Sequence, residues 1–213
     1  MSTFKDHFSA NAIGYATSRP GYPAELFAFL AGTVDRRELA WDCATGNGQA
    51  AGGLAAHFRA VVATDGSARQ IEHAVPRRGV SYRVAPAEMS GLAAASVDLV
   101  AVAQAVHWFD LPLFYAEVKR VLRPDGVLAL WCYERLRVDP AIDSLIESFH
   151  MDTLGPYWPP ERRWVESGYR DLPFPFEELP VPVFEMRAEW TLDRLPGSRH
   201  LVCGAGVSRR AEP

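Results

Sequence analysis

Asp42, Gly46, Gly48 and Asp65 are residues whose types and spacing could do chemistry together. Asp42 closes the apolar run Leu39-Ala-Trp-Asp42, and the small-residue turn Cys43-Ala-Thr-Gly-Asn-Gly48 follows before a helical stretch opens at Gln49. Gly46 and Gly48 permit positive φ and let a ligand lie against bare backbone. The helix behind them aims unpaired N–H groups and a positive dipole end at whatever binds. Such a loop suits a nucleotide-type ligand. Further on, Arg59-Ala-Val-Val-Ala-Thr-Asp65 is a second apolar run ending in an acid, followed by Gly66-Ser67. An acid at this spacing accepts hydrogen bonds from ribose hydroxyls, worth about 1.5–3 kcal/mol each when charge-assisted. The alternative is local: Asp65 or Ser67 caps the next helix.

Two ligand classes compete at the loop, because Gly46-Asn47-Gly48-Gln49-Ala50-Ala51 also fits the G-x-G-x-x-A form of the dinucleotide fingerprint. Asp42 separates them. An acid at the strand's end would face a pyrophosphate and repel it, but it suits a ligand with a cationic group nearby. S-adenosylmethionine carries an α-ammonium and a sulfonium, so it is the expected cofactor and S-adenosylhomocysteine its product. Asp42, Ala44, Gly46, Asn47, Gly48, Asp65, Gly66 and Gln104 are its candidate binding residues. Cys43 reads as a small filler of the turn.

The elements that position these residues alternate between strand and helix. Leu39–Asp42 and Arg59–Asp65 read as strands one and two, Val80–Ala85 as the third, and Val97–Gln104 as a central strand covered on both faces. Gly126–Tyr133 is the fifth, after a helix over Pro112–Leu122 and a turn at Arg123-Pro-Asp-Gly126. Helices are expected over Ala24–Gly32, opened by Pro23, and from Gln49 and after Ser67. This pattern is α/β, a doubly wound, mostly parallel sheet whose site lies at the strands' carboxyl ends. Asp42, Asp65, Ala87-Glu88, Gln104 and His107 all fall at such ends. The chain divides into an N-terminal lid and first helix (1–36), a cofactor-binding core (37–134), a substrate-side insertion with a sixth strand over Val183–Leu192 (135–196), and an irregular tail (197–213), within one domain overall.

Composition narrows the classes. A length of 213 residues with 48% hydrophobic content suits one globular domain with an attached element. A net charge of −4 with scattered basic residues favours neither nucleic acid nor a membrane surface. Cys43, Cys132 and Cys203 have neither metal nor redox spacing, no metal site is expected, and the start at Met1 lacks a secretion signal. These features point to a cytoplasmic protein.

Five stretches together resemble a known family: Tyr15 with Arg19-Pro-Gly-Tyr-Pro23, Trp41–Ala50, Thr64-Asp-Gly-Ser67, Gln104-Ala-Val-His-Trp-Phe-Asp110, and Val118–Gly126. They resemble class I S-adenosylmethionine-dependent methyltransferases with the type 11 domain, in the trans-aconitate methyltransferase-like branch. The resemblance implies the cofactor at the first loop, Asp65 on the ribose, and Ala87-Glu88 beside adenine. Ala44 departs from the family, which has glycine there. Alanine is accommodated if φ stays negative.

On this reading the methyl acceptor is a small molecule, possibly through a carboxylate oxygen. The acceptor would meet the cofactor beside Gln104–Asp110, where Trp108 and Phe109 could wall the sulfonium and His107 could act as base or orient an oxygen. The plainer alternative makes Trp108 and Phe109 core and His107 a hydrogen-bonded structural histidine. Tyr15, Arg19 and Tyr22 could close over the ligand or merely fix a turn. Tyr157 and Trp158, after a helix over Asp139–Leu154, are substrate-side candidates by resemblance. Relatives end with a strand inserted antiparallel between the fifth and sixth. Gly197–Pro213 shows no credible strand, so this strand is expected to be missing and the tail truncated or out of frame. The exposed edge would then be relieved by direct pairing of strands five and six or by a homodimer. The rival function is an S-adenosylmethionine-binding protein with little or no turnover.

Overall fold

The computed structural model describes residues 21–133 and 137–186 and the backbone of a strand at 203–209. Helix α1 (Ala24–Gly32) precedes β1 (Leu39–Cys43), α2 (Gln49–Leu54), β2 (Ala60–Asp65), α3 (Ala68–Glu72) and β3 (Val80–Val84). Next come β4 (Val97–Ala103), a 3-10 turn (Val106–Trp108), α4 (Leu111–Val121) and β5 (Leu122–Tyr133). The second half holds α5 (Pro140–Ser148), a π turn (Phe149–Thr153), a 3-10 turn (Gly155–Tyr157), α6 (Arg162–Glu166), β6 (Glu177–Leu179) and β7 (Cys203–Arg209). The first five strands and their helices fall where hydrophobic periodicity puts them. Pro23 is a small correction: with φ −63° and ψ 143° it stands at the N-cap, just before the helix.

The strands form one sheet of order β3-β2-β1-β4-β5-β7-β6. β1 pairs in parallel with both β2 and β4, so the chain's direction of travel across the sheet reverses between β1 and β4. β4 is buried on both faces because helices cover both. Leu99 and Ala101 pack with Leu26, Phe27 and Leu30 of α1. Val100 and Val102 pack with Phe114, Val118 and Val121 of α4. The Arg123–Gly126 turn is an excursion within β5: Val97 pairs with Leu122, but Leu99 pairs with Val127. Asp98 anchors that excursion, accepting from the amides of Glu38 (2.8 Å) and Leu39 (2.9 Å) and forming an ion pair with Arg123.

Two expectations fail at the far edge of the sheet. The C-terminal strand is present: β7 lies antiparallel between β5 and β6, with Val127 opposite Arg209 and Tyr133 opposite Cys203. Its sequence, Cys-Gly-Ala-Gly-Val-Ser-Arg, lacks alternating large apolar residues. Strand formation there follows from neighbours on both sides, the context that intrinsic β-propensity omits. With β5 paired along both edges, the argument for direct β5–β6 pairing or a homodimer loses its premise. The sixth strand is Glu177–Leu179, not Val183–Leu192. Within 183–186 only an isolated bridge forms, at Phe184, and 187–192 lie outside the described residues. The alternation there instead reports burial, since Phe184 and Met186 pack into the α1 side of the core.

One buried bond ties the first two strands through their side chains. The Trp41 indole N–H donates to Thr64 Oγ1 at 2.9 Å, with both residues fully buried. Thr64→Val keeps the shape and strands the indole donor, so urea denaturation should show a loss of about 1–3 kcal/mol.

Candidate functional site

The turn after β1 is built from left-handed backbone. Ala44 (φ 55°), Gly46 (φ 56°) and Gly48 (φ 89°) reverse the chain, and the Thr45 amide donates to the Thr64 carbonyl at 2.9 Å. Ala44 therefore does not keep the negative φ expected of it. An L-residue in this region costs about 1–2 kcal/mol. A Cβ on Gly46 would meet nothing within 4 Å, so that face of the loop is open. A Cβ on Gly48 would lie 2.2 Å from Tyr82 Oη. Tyr82 in turn donates to the Val75 carbonyl (2.8 Å), and the Val75 amide donates to the Asn47 carbonyl (3.1 Å), which holds the turn from outside.

Asp65 braces the same turn. Its Oδ2 accepts from the Gly46 amide and its Oδ1 from the Ser67 amide, both at 2.9 Å. Ser67 is the N-cap of α3, accepting from the Gln70 amide at 3.4 Å. Ser67 is thus the residue that caps α3, and Asp65 joins the turn after β1 to the end of β2. Gly66 is half-buried between them.

Asp42 is 1% exposed at the end of β1. Its Oδ2 accepts a 2.5 Å bond from Thr45 Oγ1. Oδ1 is buried with no hydrogen bond among the described residues, although the Ala51 amide lies near enough to favour the charged form. Burial dominates and, with the Asp65 charge, pushes this carboxyl up to about 7. Two more buried polar atoms lack hydrogen bonds among the described residues, Gln104 Nε2 and Trp131 Nε1. They lie near the carboxyl ends of β4 and β5, where the Gln104 amide donates to the Trp131 carbonyl at 2.9 Å. Gln104 itself has φ 60°. Buried polar groups are nearly always paired, so a row of exceptions along three adjacent strand ends marks a place where a polar ligand completes the bonding.

Beyond Gln104, His107 sits in the 3-10 turn with Nδ1 2.8 Å from Tyr169 Oη, and its ring centroid is 4.7 Å from that of Trp108. Burial, helped by the Arg162 charge, lowers its pKa to about 4, so the imidazole is neutral at physiological pH. Tyr169 has φ 64° and follows Gly168 at φ 59°; its amide closes the end of α6 by donating to the Trp164 carbonyl at 2.8 Å. Burial pushes its phenol up, with Cys132, Tyr22 and Tyr133 acting in the same direction. Tyr22 reaches this neighbourhood from the start of α1, edge-on to Trp131 at 5.5 Å.

The remaining candidates divide. Ala87 is buried, and Glu88 Oε1 accepts from the Asp110 amide at 3.0 Å, fastening that loop to the start of α4. Trp158 packs against His150 and Arg162. Tyr157 is 83% exposed and is not brought to the cluster. Tyr15 and Arg19 lie outside the described residues. Tyr82, Arg162 and Tyr169 carry no sequence motif; for Tyr169, the Gly168-Tyr169 pair after a short amphipathic stretch was the available signal. The cofactor loop fits S-adenosylmethionine on its own geometry, with an open glycine face and a buried carboxylate that has one oxygen without a hydrogen bond among the described residues.

Residues 41–130 match the family Methyltransf_11, described as a methyltransferase domain. A Dictyostelium discoideum protein named as a methyltransferase is 39% identical over 178 residues, covering 82% of this chain and 68% of that protein. A Saccharomyces cerevisiae protein named as an S-adenosylmethionine-dependent methyltransferase is 32% identical over 131 residues, covering 56% of this chain and 44% of its own length. A solved structure from Anaeromyxobacter dehalogenans, named as a type II methyltransferase, shares 47% identity at a TM-score of 0.79, covering 84% of this chain and 76% of that one. The chain belongs to the class I S-adenosylmethionine-dependent methyltransferases of the Methyltransf_11 family. S-adenosylmethionine is the family's methyl donor. Among the described residues no helix is long and apolar enough to cross a membrane.

Asp42 sets a pH dependence. Its folded pKa of about 7 lies above its ordinary 3.8, so the folded chain holds a proton that the unfolded chain has lost between those values. Its contribution to stability is full below about pH 4 and is lost as pH rises through 7. Asp42→Asn should remove this slope and leave the variant more resistant to urea than the parent at pH 8. Calorimetry should find that it binds S-adenosylmethionine more weakly.

Proposed function

We propose that the protein transfers the methyl group of S-adenosylmethionine to an oxygen of a small carboxylic acid, giving a methyl ester, as the trans-aconitate methyltransferase-like branch resembled by its motifs would. The observation carrying this reading is the setting of His107, half-buried in the 3-10 turn with Nδ1 2.8 Å from Tyr169 Oη and within reach of the Arg162 charge, which disfavours its protonation. A neutral imidazole with a pKa of about 4 draws a proton poorly from an alcohol or phenol. A carboxylate arrives already ionised.

Bound S-adenosylmethionine supplies an electrophilic methyl: an acceptor lone pair forms the new O–C bond while the S–C electrons return to sulfur, leaving a thioether. The protein's part is alignment, which can supply roughly 7–11 kcal/mol. In this reading Asp42 receives the α-ammonium, the 44–48 turn cradles the amino-acid end, and Asp65 offers its remaining lone pairs to the ribose. Ala87 and Glu88 border the adenine. Gln104 borders the cofactor, Trp108 and Tyr22 wall the acceptor, and Tyr169 fixes the His107 ring that orients its oxygen. The rival without turnover rested on missing C-terminal elements, and the presence of β7 removes that support.

Turnover of S-adenosylmethionine over matched carboxylic acids, alcohols, phenols and amines tests the proposal. Carboxylic acids should be methylated and the others not. At saturating cofactor, kcat should stay flat from about pH 5.5 to 8, because neither His107 nor the acceptor carboxylate titrates there and the bound α-ammonium holds Asp42 ionised. Turnover confined to phenols or amines would refute the assignment.

A further inference from the structure

The segment after β3 has a shape that its own backbone does little to hold. From Ala85 to Ser96 the chain is neither helix nor strand, and Gly91 (φ 71°) and Ala95 (φ 48°) are left-handed. Among the described residues its backbone closes one internal bond, from the Met89 amide to the Pro86 carbonyl at 3.2 Å. Most of its other bonds lead to α4. Glu88 Oε1 takes the amide of Asp110, the N-cap of that helix. Two turns further along, Glu117 Oε1 accepts from both the Ser90 amide (2.8 Å) and Ser90 Oγ (2.5 Å), and Ser90 Oγ in turn accepts from the Leu92 amide at 3.1 Å. Arg120 donates to the Leu92 carbonyl at 2.8 Å, and the Ala95 amide donates to the Arg120 carbonyl at 2.9 Å.

Glu117 anchors this set. It is 7% exposed, on a helix whose other buried residues are Phe114, Tyr115, Val118 and Val121. Arg120 reaches it as a two-point fork, Nε to Oε2 at 2.7 Å and Nη2 to Oε1 at 2.8 Å. This guanidinium above all, with Ser90, outweighs burial and holds the carboxyl down to about 2, so it stays charged at any working pH. A buried ion pair is a poor source of stability beside apolar side chains of the same volume. What it fixes is direction: a carboxylate with both oxygens engaged leaves Ser90 one place, and Ser90 lies two residues from Glu88. From this arrangement we infer that Glu117 is a positioning residue for cofactor binding: through Ser90 it sets the 86–92 segment so that Ala87 and Glu88 present one fixed edge to the adenine base. The inference rests on the reading above, in which these two residues border the adenine, and adds the group that holds them there. An acid at that edge accepts from the 6-amino group of adenine and opposes the 6-oxo group of hypoxanthine.

Calorimetry with S-adenosylhomocysteine and its 6-oxo analogue, S-inosylhomocysteine, gives a ratio of affinities that a general loss of stability does not move. The parent should favour the adenine compound. Glu117→Ala should lower S-adenosylhomocysteine affinity about 10-fold and remove most of that preference, because the Ser90 donors are left unmet. Glu117→Gln keeps an oxygen for Ser90 and should restore most of it. Val118→Ala, a cut into the core from the same helix, is the stability control: it should melt lower and keep the parent's preference. Where Glu117→Ala does not fold, Ser90→Ala decides, since it removes only the hydroxyl's bonds, and it should reduce the preference about 3-fold. A parent-like preference in the deciding variant overturns the role of Glu117, as does an equal loss in Val118→Ala. Glu88→Gln separates the inference from the reading beneath it and should shift the preference toward the 6-oxo compound. If it leaves the preference unchanged, the adenine assignment falls and the inference with it, whereas a shift there beside a parent-like Glu117→Ala overturns the inference alone.

Discussion

A carboxylate taken out of water must be offset by something, and Asp42 is almost wholly out of water at the point where the sheet reverses its winding. Thr45 answers one oxygen, and the other has no hydrogen-bond partner among the described residues. The turn that follows leaves one face of Gly46 open, and Asp65 from the neighbouring strand pins the bend through the Gly46 amide. Loop, second strand and third helix are therefore arranged around one under-satisfied group. The same condition extends to Gln104 and Trp131 on the other side of the switch point. These desolvated polar atoms have no hydrogen bonds among the described residues, and in the proposed reading the ligand supplies them.

Much of the parallel half was legible because its signals are local. The uninterrupted apolar run at Val97–Ala103 could only be a strand covered on both faces, and Asp42 and Asp65 close strands whose ends converge by topology. Ser67 could be read as a cap from its place before a helix. What escaped the sequence depends on tertiary context. The left-handed φ of Ala44 is imposed by the bonds of its turn, not by alanine's own preferences. Arg162 lies 55 positions from His107, and α6, too short to show a clear period, carries it there. The strand at Cys203–Arg209 is a backbone event between two partners and leaves little trace in residue type.

The acceptor side differs in kind from the cofactor side. The cofactor loop stands on regular strands, whereas His107 comes from a 3-10 turn and Tyr169 from left-handed backbone. Ala44, Gln104 and Tyr169 are non-glycine residues at positive φ, and all three border the proposed site. Such strain persists where surrounding bonds over-determine it. For Tyr169, the Gly168 turn, the Trp164 carbonyl and the His107 ring do so.

The position of β7 in the sheet has a kinetic side. β1 to β3 and β4 to β5 can assemble through neighbouring βαβ units, and one longer crossover sets β4 against β1. β7 must find a slot between β5 and β6, opposite residues some seventy positions earlier in the chain. Long-range pairings of this kind are slow, because the loop entropy is lost before the contacts return anything. Refolding should therefore pass through a species with a formed parallel half and an open β5 edge, and that species is the one prone to aggregate. Dilution during refolding then governs yield through the last strand to join, not through the cofactor-binding half.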